Sequence, residues 1–269
     1  MDINSVYNNS DVIFHYTKLS TALDYILDTR IDGRTLRCSP RKNSLDPWEK
    51  YEEYLPMKFD FEGSDIDVED ERVSSLYNNF KQKLNNSKQT CFCKNLPSTK
   101  VEENTSHSLN QMGYLKARMW ERYADGFNGV CLAFSKPKLK SNNTSFSSKS
   151  INYRGFEDLP ERGLKIKLGE LNNQDGYHEI EKTFDKQLEE ILYSKYFDYR
   201  DENEFRFYSH SHYEQDYLNI TDALKGIFFI QKNVSAFAVD SLRAYAKQHK
   251  ADLIGVKWTV FGVGYNIYK

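Results

Sequence analysis

Two runs constrain the fold of this chain more than any other feature. Gly129 to Phe134 (GVCLAF) and Ile227 to Ile230 (IFFI) are apolar at every consecutive position, are too short for a helix, and read as buried strands. Val12 to Thr17 (VIFHYT), Thr35 to Ser39, Gln89 to Lys94 (QTCFCK), Glu204 to Tyr208 and Leu253 to Val260 read as further strands. Helical spacing links Leu19, Ala22, Leu23, Ile26 and Leu27, with a stop near Asp32-Gly33, and recurs over Arg72 to Leu84. It returns over His107 to Asp125, at Ile180, Phe184, Leu188, Ile191 and Leu192, and over Ser235 to His249. Strands and helices do not alternate strictly. The expectation is therefore an α+β fold, with a mixed, largely antiparallel sheet core and flanking helices. No repeat or linker divides it, so residues 1–269 read as one domain. Ser135 to Ser150 (SKPKLKSNNTSFSSKS) has no periodicity and reads as a mobile loop, 135–150. Asp60 to Glu71 reads as an acidic, solvated one.

A chain of 269 residues buries a real core. Its 37 Lys+Arg against 39 Asp+Glu set up no long-range field that would mark an obligate nucleic-acid binder, although a local basic patch fits inside a neutral total. The 19 Tyr and 17 Phe mostly fill core but leave rings able to stack on a base or a nicotinamide. Cys38, Cys91, Cys93 and Cys131 match neither zinc-site nor C-x-x-C spacing and read as reduced thiols of a cytosolic protein. The N-terminus resembles no export signal, and no apolar run is long enough for a membrane helix. A cytoplasmic protein with no membrane partner is expected.

Four clusters can carry chemistry. Strand alternation puts Phe14 and Tyr16 on one side and Ile13, His15 and Thr17 on the other. His15 ends a strand just before a helix, where it faces a cleft or, equally, caps the turn. Asp46-Pro47-Trp48-Glu49 fits an N-cap with Pro at the first helical position and Glu49 closing a capping box; a metal-holding carboxylate pair fits less well, since no His joins it. Trp120 and Tyr123 lie three apart, forming either a flat wall for a planar ligand or packing against GVCLAF. In Glu202 to Phe207 (ENEFRF), alternation sends Phe205 and Phe207 to the core and Glu202, Glu204 and Arg206 to the other face, where carboxylate and guanidinium form a tuned pair. An exposed edge strand would alternate in the same way. The preceding YSKYFDYRD reads as a flexible approach. No G-x-G-x-x-G and no P-loop occurs.

In this order the pieces resemble a large bacterial family known only as a domain of unknown function, number 2971. The residues that carry the likeness are His15-Tyr16-Thr17, Leu36-Arg37-Cys38-Ser39, Asp46 to Glu49, Cys91-Phe92-Cys93, Met119 to Ala124 with Gly129-Val130-Cys131, and Glu202 to Arg206. They span about residues 11 to 210, and Cys93 stands where the family usually has serine. Members often lie near phage-defence genes, and abortive-infection proteins are similar in character. The resemblance thus implies a toxin-like effector of anti-phage defence, with a neutralising or activating partner protein.

A more distant likeness is to the ADP-ribosyltransferase fold, where His, an aromatic and Glu line one NAD cleft in that order. It implies NAD as substrate and His15, Tyr123 and Glu204 as the catalytic set, with Tyr16 or Tyr114 as alternatives to Tyr123. Glu204 would orient the ribose 2′-OH and steady an oxocarbenium-like state. His15 would hold the adenosine ribose, Tyr123 would stack on the nicotinamide, and Arg37 would neutralise the pyrophosphate. Tyr16, Thr17, Ser39, Trp120 and Arg206 complete the implied NAD site, and the target would be nucleic acid or protein. Two other readings stay open: a metal-dependent nuclease built on Asp46, Glu49, Glu202 and Glu204, and a non-enzymatic sensor in which HYT and W-x-x-YA are core. The transferase reading expects Phe14 and Tyr16 to share one core with Phe205 and Phe207, leaving His15 and Glu204 together on the other face.

Overall fold

The computed structural model describes residues 3–28, 35–44, 46–50, 57–62, 67, 69–96, 111–155, 164–209, 216–260 and 262–268. Its strands in chain order are β1 (Val12–Thr17), β2 (Thr35–Pro40), β3 (Met57–Asp60), β4 (Lys88–Lys94), β5 (Val130–Ser135), β6 (Ser147–Ser150) and β7 (Asn152–Arg154). They continue as β8 (Leu164–Lys167), β9 (Ser194–Tyr196), β10 (Glu204–Ser209), β11 (Asp216–Asn219), β12 (Leu224–Ile230), β13 (Asp252–Thr259) and β14 (Gly262–Tyr268). The helices are α1 (Ile3–Tyr7), α2 (Leu19–Thr21), α3 (Pro47–Lys50), α4 (Glu71–Asn86), α5 (Ala117–Tyr123), α6 (Lys136–Asn142), α7 (Gln174–Leu192) and α8 (Ala236–His249).

A 10-stranded sheet runs β11-β2-β4-β1-β5-β12-β13-β14, with β10 also pairing β4 and β6 pairing β10. Only β12 and β13 run parallel in it, so the fold is α+β with a mixed, mostly antiparallel sheet. The all-apolar runs explain its centre. GVCLAF lies in β5, between β1 and β12, with every residue from Val130 to Phe134 buried. One face of the sheet packs Ile13, Phe92, Leu132, Phe205, Phe207 and Phe229 against α8 and the π-helical turn Ala22–Ile26. The other face packs Phe14, Tyr16, Cys131 and Phe228 against Trp120 of α5. Beyond it a third cluster joins α4 and α7 through Val73, Phe80, Phe184 and Leu188, and reaches the sheet at Tyr208.

The register overturns the single shared core expected for the two aromatic pairs. Phe14 stands opposite Cys93 and Cys93 opposite Glu204, so Phe14 and Glu204 share one face, whereas Phe205 stands opposite Phe92 on the other. His15 and Glu204 therefore have opposite parity. The mobile loop 135–150 is also corrected, because it contains α6 and β6. Ser135 caps α6 by accepting from the Lys138 N–H (3.4 Å), a proline lies in its first turn, and Leu139 is its one buried anchor. A seven-residue helix with one apolar contact leaves no period to read.

The helix expected from His107 begins at Ala117, and residues 107–110 lie outside the described ones, as does the stop near Asp32-Gly33. Residues 111–114 form a turn, and at Gly113 a Cβ would stand 2.3 Å from the Phe14 ring, so the backbone passes close against that ring. The flexible approach YSKYFDYRD is instead β9 followed by a 3-10 helix, Phe197–Glu202. All four cysteines are unbonded. Among the described residues no helix is long and apolar enough to cross a membrane.

Candidate functional site

One edge of β4 is shared by two strands that part from each other. β2 pairs with its start, at Lys88 and Gln89, while β1 pairs with its end, at Cys93 and Lys94. Between them Thr90 to Phe92 have no strand partner on that edge among the described residues, and side chains take the place of the ladder. His15 Nδ1–H donates to the Cys91 carbonyl (2.9 Å), and Thr90 Oγ1 donates to the Arg37 carbonyl (3.3 Å). This gap lets residues of opposite parity meet. A cavity of about 300 Å³ opens there, lined by His15 and Phe92 from one face and Glu204 and Arg206 from the other. Met119 and Tyr123 of α5 form an apolar wall, and the exposed Arg37 and Ser39 of β2 also line it.

A buried ionic network closes the inner end. Arg206 Nε donates to Glu204 Oε1 and its Nη2 to Glu204 Oε2 (3.0 Å), in a bidentate clamp. The same Nη2 pairs with Glu49 Oε1, and Nη1 reaches Gln89 Oε1 (3.2 Å), the Tyr208 hydroxyl (3.2 Å) and the Leu192 carbonyl (3.3 Å). Lys195 Nζ bridges Glu202 Oε2 (2.6 Å) and Glu204 Oε2 (3.2 Å). Three carboxylates thus face two cations, and all five groups are buried.

The two neighbouring glutamates are pushed apart in proton affinity. Burial raises the pKa of Glu204, but Arg206 and Lys195 outweigh it and hold the carboxyl down to about 2. For Glu202 burial is again the largest influence, Lys195 offsets only part of it, and Glu204 adds to the rise, so its pKa stays above the ordinary range. Their hydrogen bonding differs as well. Glu204 accepts from Arg206 Nε and Nη2, Lys195 Nζ and the Cys91 thiol, which fills all four of its acceptor sites. Glu202 Oε1 is buried with no partner among the described residues. Burial lowers the pKa of His15, offset in part by the Cys91 carbonyl, so the ring is neutral with its proton on Nδ1 and a lone pair on Nε2. Burial and Glu204 raise the pKa of Cys91, which keeps it a thiol.

The cavity brings together His15, Tyr16, Arg37, Ser39, Tyr123, Glu204 and Arg206 among the residues expected from the sequence. Tyr16 presents only its ring, since its hydroxyl donates to the Gly113 carbonyl (2.7 Å). Trp120 is corrected: fully buried, it meets Tyr16 edge-on and donates Nε1–H to the Tyr114 carbonyl (2.9 Å), so Met119 and Tyr123, one helical turn apart, form the wall instead. Thr17 is corrected too, because it is buried opposite Val130 and does not line the cavity. Tyr114 stacks on Phe228 inside the core. Glu49 does not close a capping box; its carboxylate turns inward to Arg206 and Gln89. Lys195 went unseen in the sequence, where a lysine among tyrosines carries no burial signal. Among the described residues no group of three or more His, Cys, Asp or Glu side chains is placed to hold a metal ion.

Residues 119–207 match the profile of a family described as "Protein of unknown function (DUF2971)". That range contains Tyr123, Lys195, Glu202, Glu204 and Arg206, and leaves out His15, Arg37 and Glu49. No curated protein and no solved structure matches the chain.

Proposed function

We propose that this chain, which carries a DUF2971 domain over residues 119–207, is an NAD-consuming ADP-ribosyltransferase whose working carboxylate is Glu202. The reading rests on one observation: two carboxylates on one cavity, one clamped as an anion and the other of raised proton affinity with an unpartnered oxygen. Breaking the nicotinamide–ribose bond sends the bonding pair out with neutral nicotinamide and leaves positive charge on the ribose. A cavity end with three carboxylates and two cations favours that charge. As the acceptor attacks C1′, its proton passes to the Glu202 carboxylate, which suits a base of raised pKa. Glu204 cannot take that part, since its acceptor sites are filled; through Lys195 it fixes Glu202 in place.

Ligand linkage supplies the test. NAD at 100 times its Kd stabilises the folded state by about 2.7 kcal/mol and raises the melting temperature. A shift with Mg²⁺ or Mn²⁺ and none with NAD would favour the nuclease reading.

A further inference from the structure

We infer that the cavity takes only the nicotinamide mononucleotide half of NAD, with its phosphate against Arg37, and leaves the adenosine half outside. The inference rests on the NAD reading. A cavity of about 300 Å³ lies at the foot of the roughly 300–1,000 Å³ range of small-molecule sites, which suits one nucleotide rather than two.

The chemistry of the lining is ordered from the inner end to the mouth. Glu202 lines the inner end, and its Oε1 is buried without a partner among the described residues, an acceptor that a ribose hydroxyl would satisfy once the side chain turns toward it. Along the wall, Tyr123 and Met119 offer an apolar surface to a planar ring. Arg37, which lines the same cavity, is exposed, and no carboxylate among the described residues pairs with its guanidinium, which leaves a fork for a phosphate. Acceptor, flat wall and guanidinium together match nicotinamide ribose 5′-phosphate. No second uncommitted cation among the cavity residues is left for the phosphate of the adenosine half, since Lys195 and Arg206 are committed to carboxylates.

The test is calorimetric titration of the full chain with NAD, nicotinamide mononucleotide, nicotinamide riboside and ADP-ribose, repeated on Arg37→Ala. Arg37 is exposed, so its truncation leaves the fold intact. The expected result is mononucleotide affinity close to that of NAD, with riboside about tenfold or more weaker, as one charge-assisted contact dictates. Arg37→Ala should erase the difference between mononucleotide and riboside. Tight binding of NAD and ADP-ribose with none of the mononucleotide would overturn the inference and leave the NAD reading standing. So would equal weakening of mononucleotide and riboside by Arg37→Ala. Binding of none of the four would overturn both.

Discussion

Replacing Arg206 with methionine removes the hub of the buried network while roughly keeping its volume. The guanidinium, 1% exposed, holds Glu204 in two bonds, Glu49 in another, and Gln89, Tyr208 and the Leu192 carbonyl besides. Without it, Glu49 and Glu204 remain in the interior, with Lys195 as the only cation among the described residues within bonding reach of Glu204. Breaking a buried pair from one side costs about 3–5 kcal/mol, because the stranded charge keeps its desolvation penalty. For a chain of this size that is a fall in melting temperature of about 6–20 °C, at ~2–4 °C per kcal/mol. Urea unfolding with an unchanged slope reads the loss directly from the midpoint. A loss under about 1 kcal/mol would refute the network as a structural anchor. Glu202→Gln should behave differently. It keeps an oxygen for Lys195, which retains Glu204 as its counter-charge, and loses a charge that burial disfavours, so it should cost clearly less than Arg206→Met.

Three further outcomes follow from the same geometry. The depressed pKa of Glu204 contributes stability that is present above its unfolded value of 4.5 and lost as pH falls toward about 2, so the stability gap between wild type and Glu204→Gln should narrow over that window in pH-resolved urea titrations. Glu202 has the opposite sign: its raised pKa favours folding at low pH, so Glu202→Gln should gain stability relative to wild type as pH rises above 4.5. Gly129→Ala should cost at least about 1–3 kcal/mol in thermal or urea unfolding, since its Cβ would stand 2.2 Å from the Thr17 carbonyl oxygen and 2.8 Å from the Ala124 Cα, both backbone atoms.

The sheet was legible wherever strands are buried on both faces, as in GVCLAF and IFFI, because unbroken apolar runs of that length have few other uses. Helices with several buried turns, such as Ile180 to Leu192, were legible from their spacing. The site was half legible. His15, Tyr123, Glu204 and Arg206 stood out as polar or aromatic residues in buried patterns, and all four line the cavity. Parity alone misled, since it assumes a continuous sheet, and the parting of β1 from β2 along β4 is a long-range event without a local signal. Glu49 was hidden by a capping box that explained it equally well. Glu202 was grouped with the strand although it belongs to the 3-10 turn before it, where Asn203 takes a left-handed conformation (φ 44°) and resets the direction of the chain. That offset gives the two glutamates different partners and different proton affinities.

The most direct measurement is nicotinamide release from NAD by the wild type and by Glu202→Gln, with the melting temperature of each recorded in the same buffer. Release by the wild type, a fall of about 10²–10⁴-fold in the variant and a nearly unchanged melting temperature are the expected result. Equal turnover by both proteins, or no release by a folded wild type supplied with acceptor, would contradict the assignment of Glu202 as the working carboxylate of an NAD-cleaving site.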